Sequence, residues 1–289
     1  MTESIQNLQK MMALQKLVKK IRPLIHCITN PISIHDCANV VLAAGGRPIM
    51  AEHPREVEQI TETAQALMLN LGNITDVRME SMKRSLAAAN KKGIPVLLDL
   101  VGVACSDLRR EYASELLQTG TISVLKGNMS EILEMAGEES HSIGIDAGIQ
   151  DTLTPENLEK VIECFQSMAK RTGAVILASG KTDLIVDAAE AYAVENGDAM
   201  MSEITGTGCM LGAVCSTYLG GVHVSTAQNT CEIKMIHAVL LGAAVMGIAG
   251  ELAAEDSHGP GSFQIRFLDF LYQIDGKLLE IKGKINRVL

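Results

Sequence analysis

Two kinds of apolar pattern alternate along the chain from residue 23 to residue 194. Short runs of nearly continuous apolar residues, such as 66–71, are typical of strands buried on both faces of a sheet. Longer segments with apolar residues every three or four positions, such as 78–91, are typical of helices with one buried face. The pattern predicts a strand and turn within 23–31, strands at 47–51, 66–71, 95–100, 121–125 and 174–178, and helices at 2–20, 34–44, 56–65, 78–91, 107–118 and 130–136.

Residues that start and stop helices support these boundaries. Gly45-Gly46 and Gly93 follow two predicted helices, and glycine commonly ends a helix. Ser130 is predicted to cap one helix, and Thr154-Pro155 to begin another, since a capping residue followed by proline is a typical helix start. The remaining predictions are a helix end near 171, a surface loop over 137–152, a hairpin from 184–186 to 192–194, and mostly helix after 212.

Strands that alternate with helices, without a linker, a repeat or a low-complexity run, predict an α/β protein with a largely parallel sheet between two helical layers. The length of 289 residues fits one large domain or two modest ones, and α/β folds of this size often form a single unit. We therefore expect one three-layer α/β/α domain over 1–289, with 1–20 as an N-terminal helix.

Composition narrows the possible functions. A formal net charge of -9, 3% aromatic residues and no tryptophan argue against nucleic-acid binding by backbone contacts or base stacking. Seven cysteines without a C-x-x-C pair or zinc spacing, and a start without a signal-peptide pattern, indicate reduced thiols in a cytoplasm. The longest apolar stretch, 236–249, is shorter than the roughly 20 residues that span a membrane. We expect it to form a buried helix, and we expect no membrane segment.

The stretch Glu203–Gly212, EITGTGCMLG, is the strongest candidate for chemistry. Its glycines leave no Cβ in the way of a ligand. A helix that begins near Cys209 would direct free amides and the positive pole of its dipole at an anion. We therefore predict that this stretch holds a transferred phosphoryl group, with Cys209 beside the attacking hydroxyl. The alternative is a glycine-lined helix start packed against a strand, and a short Gly-x-Gly alone favours that alternative.

Polar residues stand where several predicted strands end. Asp99, Lys126 and Ser179 would emerge on one edge of a parallel sheet, where ligands of such folds bind. Asp99 and Glu131 are candidates for Mg²⁺, which keeps several waters and takes one or two carboxylates. Lys126 would neutralise phosphate charge, and Ser179 would either donate to a phosphate or close a turn. Taken singly, a turn cap at Asp99 and an exposed acid at Glu131 are simpler explanations. Their predicted co-location makes a nucleotide site plausible.

Seven short motifs occur in the order of a known family. They are His26–Asn30 (HCITN), Asp36–Asn39 (DCAN), Pro48–Ala51 (PIMA), Asp99–Gly102 (DLVG), Lys126–Glu131 (KGNMSE), Gly206–Cys209 (GTGC) and Gly259–Phe263 (GPGSF). Together they resemble the hydroxyethylthiazole kinases, a thiamine-salvage family of the ribokinase-like superfamily. The resemblance extends from about residue 23 to the C-terminus.

The resemblance implies a reaction and an assembly. The γ-phosphoryl of ATP would pass, with Mg²⁺, to the hydroxyl of 4-methyl-5-(2-hydroxyethyl)thiazole, giving the thiazole phosphate and ADP. By position, Met50 and Gly206 would contact the thiazole, and Lys126 and Ser179 would contact ATP. The family is a homotrimer with its active sites between subunits, and the same assembly is expected here.

Further site residues follow from the same resemblance. Asn128 and Glu131 match an Asn-x-x-Glu signature that tunes magnesium and phosphate binding, and the phosphates would lie over the amides of Thr207 and Gly208. Cys209 lies where the wider superfamily has an aspartate as general base. A thiol at a helix start can have a lowered pKa, although positioning and charge neutralisation should supply most of the rate.

Four departures from the family pattern bear on rate and substrate fit more than on reaction type. Leu100 replaces a proline, and Ala104-Cys105-Ser106 replaces a Gly-Ala-Thr run. Lys126 stands where arginine is common, so a bidentate phosphate contact would be lost. His35 occupies a position often held by asparagine near the thiazole.

Other functions remain open from the sequence. A kinase for another small alcohol such as hydroxymethylpyrimidine is the nearest alternative. Cys209 as a covalent nucleophile in acyl transfer is a second, although His223, His237 and His258 carry no recognisable partner signature. A non-catalytic nucleotide or thiazole sensor is a third.

Overall fold

Nine strands form one sheet in the part of the chain that the computed structural model describes, which is residues 3–142, 144–148, 151–227 and 233–289. The strands are β1 (Leu24–Ile28), β2 (Arg47–Ile49), β3 (Ala66–Asn70), β4 (Val96–Asp99), β5 (Val124–Asn128), β6 (Val175–Ser179), β7 (Asp183–Val186), β8 (Ala191–Val194) and β9 (Ile285–Arg287). Their order is β2-β1-β3-β4-β5-β6-β7-β8-β9. Neighbours from β2 to β6 run parallel, and β6 to β9 pair antiparallel. The mostly parallel sheet is therefore confirmed.

Helices connect the strands and follow the hairpin. They are α1 (Glu3–Ile21), α2 (Ile34–Ala43), α3 (Val57–Thr63), α4 (Asp76–Lys92), α5 (Asp107–Thr119), α6 (Met129–Ala136), α7 (Leu158–Thr172), α8 (Thr207–Ala227), α9 (Met235–Glu255), α10 (Pro260–Gln273) and α11 (Gly276–Lys282), with a short 3₁₀ helix at Ala199–Glu203. Gly93 ends α4 at φ +68°, a left-handed angle that other residues rarely adopt.

Two apolar cores lie against the sheet. Leu97 belongs to the core that contains buried residues of α1, α2, α8 and α9, whereas Val96 and Leu98 belong to the core that contains those of α4 to α7. Successive side chains of a strand point to opposite faces, so each face of the sheet carries its own helical layer. The α/β/α arrangement is confirmed.

The apolar stretch 236–249 lies within α9. This helix is long and apolar enough to cross a membrane by length and composition, yet 83% of its most apolar window is buried inside the structure. His237 is also buried, and it accepts a hydrogen bond from the Lys234 N–H at 2.9 Å while its Nε2 lies 3.2 Å from Asn7 Oδ1. The predicted buried helix is confirmed.

Two predicted helix starts were wrong. Ser130 does not cap α6, because Asn128 is the cap and accepts from the Glu131 N–H at 2.9 Å; the Ser130 hydroxyl instead donates to Asp151. Thr154-Pro155 precedes a turn, and α7 begins only at Leu158. Side chains of serine, threonine and asparagine all compete for local backbone groups, so pattern alone did not identify the residue that caps each helix.

Other differences are in strand boundaries. β5 was predicted at 121–125 but covers Val124–Asn128, because residues 124 to 128 pair with β6. β9 was missed, since its three residues form a strand only by pairing with β8. Cys231, one of the seven cysteines, lies outside the described residues.

Candidate active site

Parallel register brings three polar residues into one row across the carboxyl edge of the sheet. Asn70 at the end of β3 pairs with Asp99 at the end of β4, and Asp99 pairs with Lys126 in β5. Lys126 Nζ donates to Asp99 Oδ1 at 3.0 Å, and Asn70 Nδ2 donates to Asp99 Oδ2 at 2.8 Å. Asp99 and Lys126, which were predicted to lie at one edge of the sheet, therefore form an ion pair.

This ion pair is almost excluded from water. Asp99 is 0% exposed and Lys126 3% exposed. Burial by itself would lower the pKa of Lys126, but the charges of Asp99 and Glu131 raise it above its usual value. Both oxygens of Asp99 accept hydrogen bonds from donors, which favours the ionised carboxylate. Lys126 is therefore a fixed positive charge under the edge of the sheet.

The first turn of α8 lies directly above this charge. A Cβ placed on Gly208 would be 3.3 Å from Lys126 Nζ, and one on Gly212 would be 2.8 Å from Met68 Cε in β3. Because Gly208 and Gly212 have no side chains, α8 can pack closely against the strands. This close packing is the alternative explanation that the sequence left open for these glycines. Gly206 has φ +86°, and the first helical hydrogen bond runs from the Met210 N–H to Gly206 O at 2.8 Å. The amides of residues 207–209 are not used by the helix and lie beside an ammonium group.

Cys209 lies within this turn and is 8% exposed. Its Sγ accepts hydrogen bonds from Asn30 Nδ2 and Asn70 Nδ2, each at 3.3 Å. Burial, with the nearby charge of Asp99, raises the pKa of Cys209 despite the opposing effects of Lys126 and the hydrogen bonds. The suggestion of a lowered pKa was therefore wrong, because the Cys209 side chain is buried rather than at a solvated surface. Cys209 is a thiol in the resting site.

Glu131 is held by the start of α6. Its Oε1 accepts from the Gly102 N–H and its Oε2 from the Asn128 N–H, both at 2.7 Å. Burial raises the pKa of Glu131 to about 7. Asn128 uses its own side chain within the protein, because Oδ1 accepts from the Glu131 N–H and Nδ2 donates to Ile145 O at 2.9 Å.

A metal ion would fit this edge through water rather than through direct coordination. All four oxygens of Asp99 and Glu131 already accept hydrogen bonds from protein donors. The described residues contain no group of three or more His, Cys, Asp or Glu side chains that could hold a metal. Each carboxylate oxygen retains a second lone pair, and Mg²⁺ commonly keeps its waters.

An open cleft of about 630 Å³ adjoins the first turn of α8. Ser179, Thr207 and Gly208 line this cleft. All three were predicted to contact ATP, and a shared position in one cleft is what a single ligand would require. Ser179 Oγ donates to Gly127 O at 3.2 Å, so its hydroxyl also bridges two strands. Sequence reasoning missed Lys181, Asp183, Asn196, Asp198, Leu211, Ala243 and Met246, which line the same cleft. They come from four separated elements, and no local pattern joined them.

Met50 and Gly206, which were predicted to contact a thiazole, lie beside β2 and α2. Met50 directly follows β2, on the same sheet edge, and is half-buried against the core that contains α8. A Cβ on Gly206 would lie 3.0 Å from Ser33 Cβ, which places Gly206 beside the start of α2. His35 on α2 is exposed, and its ring lies 3.3 Å from Asp36 Oδ1 and from Asn39 Nδ2.

The remaining departures lie close to Glu131. Leu100 is fully buried, and Cys105 is exposed with its Sγ donating to Gly102 O at 3.4 Å. Since the Gly102 N–H binds Glu131, these positions shape the loop that holds that carboxylate.

The fold of this chain resembles the folds of solved structures. A ribokinase-like superfamily protein from Enterococcus faecalis V583 has a TM-score of 0.58 at 11% identity, covering 91% of this chain and 95% of that chain. A hydroxyethylthiazole kinase protein from Pyrococcus horikoshii OT3 has a TM-score of 0.84 at 28% identity, covering 97% of this chain and 100% of that chain. The fold is therefore ribokinase-like.

Sequence comparison defines the family within that class. The model of the hydroxyethylthiazole kinase family matches residues 14–277. Hydroxyethylthiazole kinase 2 of Clostridium botulinum (strain Hall) is 42% identical over 275 residues, which are 95% of this chain and 99% of the relative. Hydroxyethylthiazole kinase of Methanobrevibacter smithii is 38% identical over 296 residues and covers 99% of both chains. The chain belongs to the hydroxyethylthiazole kinase family.

Proposed function

We propose that this protein transfers the γ-phosphoryl group of ATP to the hydroxyl of 4-methyl-5-(2-hydroxyethyl)thiazole, giving the thiazole phosphate and ADP in thiamine salvage. The observation that carries the proposal is the joint position of three features at one sheet edge. These are the free amides of residues 207–209, the buried ammonium of Lys126 and the adjoining 630 Å³ cleft. Family membership supplies the identity of the substrates.

The nucleotide would occupy the cleft with its phosphates directed at α8. Ser179 would contact the nucleotide, and the amides of Thr207 and Gly208 would bind phosphate oxygens. Lys126 would stabilise the charge that develops on the transferred group, as preorganised donors and cations do in phosphoryl transfer. Asn128 would act on the nucleotide indirectly, because its side chain is already used to cap α6 and to hold Ile145.

Cys209 would orient the attacking hydroxyl and accept its proton as transfer proceeds. A buried thiol is a weak base, so most of the rate would come from positioning and from charge neutralisation. Met50 and Gly206 would hold the thiazole ring so that its hydroxyethyl arm lies beside Cys209.

Magnesium would be held between the ATP phosphates and the edge of the sheet. Asp99 and Glu131 would accept hydrogen bonds from metal-bound water, which fits carboxylates whose oxygens each already have one donor. When bound, Mg²⁺ supplies positive charge that offsets the charge of the phosphates.

The wider setting is proposed on the same grounds. We expect a single domain over 1–289, since strands from β1 to β9 join one sheet. We also expect a cytoplasmic homotrimer with active sites between subunits, and small molecules rather than nucleic acid or membrane as ligands. Analytical ultracentrifugation tests the trimer.

One experiment tests the reaction directly. Purified protein is incubated with Mg-ATP and the thiazole alcohol, and ADP and the thiazole phosphate are measured. ADP should form only when both substrates are present. A parallel assay with hydroxymethylpyrimidine and other small alcohols tests substrate choice. ADP formation that does not depend on the thiazole alcohol would contradict the proposal.

A cysteine nucleophile for acyl transfer is not favoured. The described hydrogen-bond partners of Cys209 are the amides of Asn30 and Asn70 and the hydroxyl of Ser33, and none of these groups can act as a general base. The raised pKa of Cys209 also opposes formation of a thiolate in the resting site. Activated esters should therefore leave no stoichiometric adduct on Cys209.

A further inference from the structure

Asn70 makes four hydrogen bonds with its side chain and is fully buried. Its Nδ2 donates to Asp99 Oδ2 at 2.8 Å and to Cys209 Sγ at 3.3 Å. Its Oδ1 accepts from the Gly72 N–H at 2.9 Å and from Asn30 Nδ2 at 3.1 Å. An amide has two N–H donors and two acceptor lone pairs, so every hydrogen-bonding position of Asn70 is used.

The surroundings also fix which way this amide points. A flipped Asn70 would place its oxygen against the Asp99 carboxylate and its N–H groups against the Gly72 N–H. Asn30 is fixed in the same way, because its Oδ1 accepts from the Ile32 and Ser33 N–H groups, each at 3.1 Å. Both amides therefore present N–H groups, not oxygens, to Cys209.

Cys209 Sγ is consequently an acceptor on two sides. The thiol hydrogen cannot point at either amide, because an N–H group already occupies each direction. The Ser33 hydroxyl is a third hydrogen-bonding neighbour of the sulfur, and the substrate hydroxyl would approach from the direction that these three groups leave. When the sulfur takes up negative charge, both N–H groups favour the charged form.

We propose that Asn70, supported by Asn30, is a positioning residue for Cys209, which directs the sulfur toward the substrate alcohol and stabilises it as it takes up negative charge. This role rests on the proposed kinase reaction. Asn70 acts through Cys209, and in this role it contacts neither the alcohol nor the transferred phosphoryl group.

A double-mutant cycle tests whether Asn70 acts through Cys209. Asn70→Ala should lower kcat about tenfold, as expected for losing one hydrogen bond to a group that becomes charged, with little change in the KM for ATP. In a Cys209→Ala background the same substitution should lower kcat less than about twofold, because the coupled group is gone. Equal losses in the two backgrounds would overturn the proposal, since Asn70 would then act through Asp99 or through the fold.

A matched asparagine controls for the loss of an amide. Asn90 lies near the end of α4 at the opposite edge of the sheet, and its side chain exchanges two hydrogen bonds with the Thr121 backbone, at 2.9 and 2.7 Å. Asn90→Ala should leave kcat unchanged in both backgrounds. Circular dichroism confirms folding of each variant, and Asn70→Ser, which keeps a small donor, replaces Asn70→Ala where the latter does not fold.

A second readout does not depend on kinase activity. Alkylation of Cys209 by iodoacetamide is followed by peptide mass spectrometry as a function of pH, with the nearby charges Asp99 and Lys126 unchanged. The pH at half-maximal reaction should rise by about one unit in Asn70→Ala and stay constant in Asn90→Ala. An unchanged midpoint in folded Asn70→Ala would contradict the role. A shifted midpoint in a protein that never turns over the thiazole would support the stabilisation of the Cys209 sulfur by Asn70 and reject the kinase function.

Discussion

Two regions of this sheet edge differ in how much space they leave for a ligand. In the buried row Asn70, Asp99, Lys126 and Cys209, each polar group already has a partner within the protein. In the open cleft beside β6, the polar groups surround about 630 Å³ of accessible space. The row is therefore closed and organised before substrates bind. The cleft is open and leaves room for a ligand, although polar groups that line it, such as Ser179 and Asp183, also have hydrogen bonds within the protein.

Sheet topology explains the difference. In this row, Asn70 and Asp99 end β3 and β4, and Lys126 lies within β5. These parallel strands are in the middle of the sheet and are covered by α8, which carries Cys209. The cleft lies where the sheet changes from parallel to antiparallel, between β6 and β7. The chain turns back there at Gly180, whose N–H donates to Asp183 Oδ1 at 2.9 Å, so no crossover helix fills the space. Stability should therefore depend on the row, and nucleotide affinity on the cleft.

Removing the charge of Lys126 should give the largest effect. Lys126→Met leaves the Asp99 carboxylate buried and unpaired, so the free energy of unfolding should fall by about 3–5 kcal/mol. Urea denaturation measures it. The double variant Lys126→Met/Asp99→Asn removes both charges and should recover most of the stability without recovering turnover. A loss below about 1 kcal/mol in the single variant would show that the ion pair is solvated.

Substitution of Cys209 tests the chemistry of the row. Cys209→Ala should lower kcat about a hundredfold, toward the low end of general-base effects, because positioning and charge supply the rest. Cys209→Asp should remain active, since the amides of Asn30 and Asn70 can donate to a carboxylate as well as to sulfur. Steady-state ADP release measures both variants, and Cys164→Ala on α7 is the control. If Cys209→Ala kept the wild-type kcat, Cys209 would contribute only to packing and not to the reaction.

The raised pKa of Glu131 predicts a pH effect on stability. Burial raises the pKa of Glu131 from an ordinary value of 4.5 to about 7 in the folded protein. This group therefore stabilises the fold most below pH 4.5, and that contribution is lost as pH rises through 7. Relative to wild type, Glu131→Gln should gain roughly 2 kcal/mol in free energy of unfolding between pH 5 and pH 8. Urea denaturation without metal or nucleotide measures the difference. If the difference in free energy of unfolding between Glu131→Gln and wild type stayed constant from pH 5 to pH 8, the pKa of Glu131 in the folded protein would lie outside this pH range.

The smallest effect is expected in the cleft. Lys181 is exposed and lines the cleft, so Lys181→Ala should raise the KM for ATP by roughly twofold to fivefold through lost attraction for an anion. The unfolding midpoint in urea should not move. The increase in KM should shrink in high salt, because exposed charges are screened. Lys91→Ala, an equally exposed lysine at the other edge of the sheet, should change neither quantity. A large loss of stability in Lys181→Ala would contradict the expectation that stability depends on the buried row and nucleotide affinity on the cleft.

Local pattern predicted most elements of this fold but not all of their ends. Continuous apolar runs identified β3, β4 and β6, because strands buried on both faces carry few polar residues. The last residues of β5, Lys126 to Asn128, are polar or glycine, and only their pairing with Leu177 to Ser179 makes them strand. The cap of α6 depended on which of several similar side chains reached a backbone N–H, and α7 begins at Leu158 without a side-chain cap.

For the site, the sequence by itself determined that several of its polar groups lie at one edge of the sheet. Parallel strands end at one edge, so Asp99, Lys126 and Ser179 could be assigned to it without coordinates, and the glycines around Cys209 marked the helix start that faces them. Tertiary structure alone decided the state of those groups. Burial makes Cys209 a thiol with a raised pKa and pairs Lys126 with Asp99, and it brings Asn30 and Asn70, which are far apart in sequence, onto one sulfur. Desolvation and hydrogen-bond direction depend on everything that surrounds a group in three dimensions, and a local sequence pattern does not contain that information.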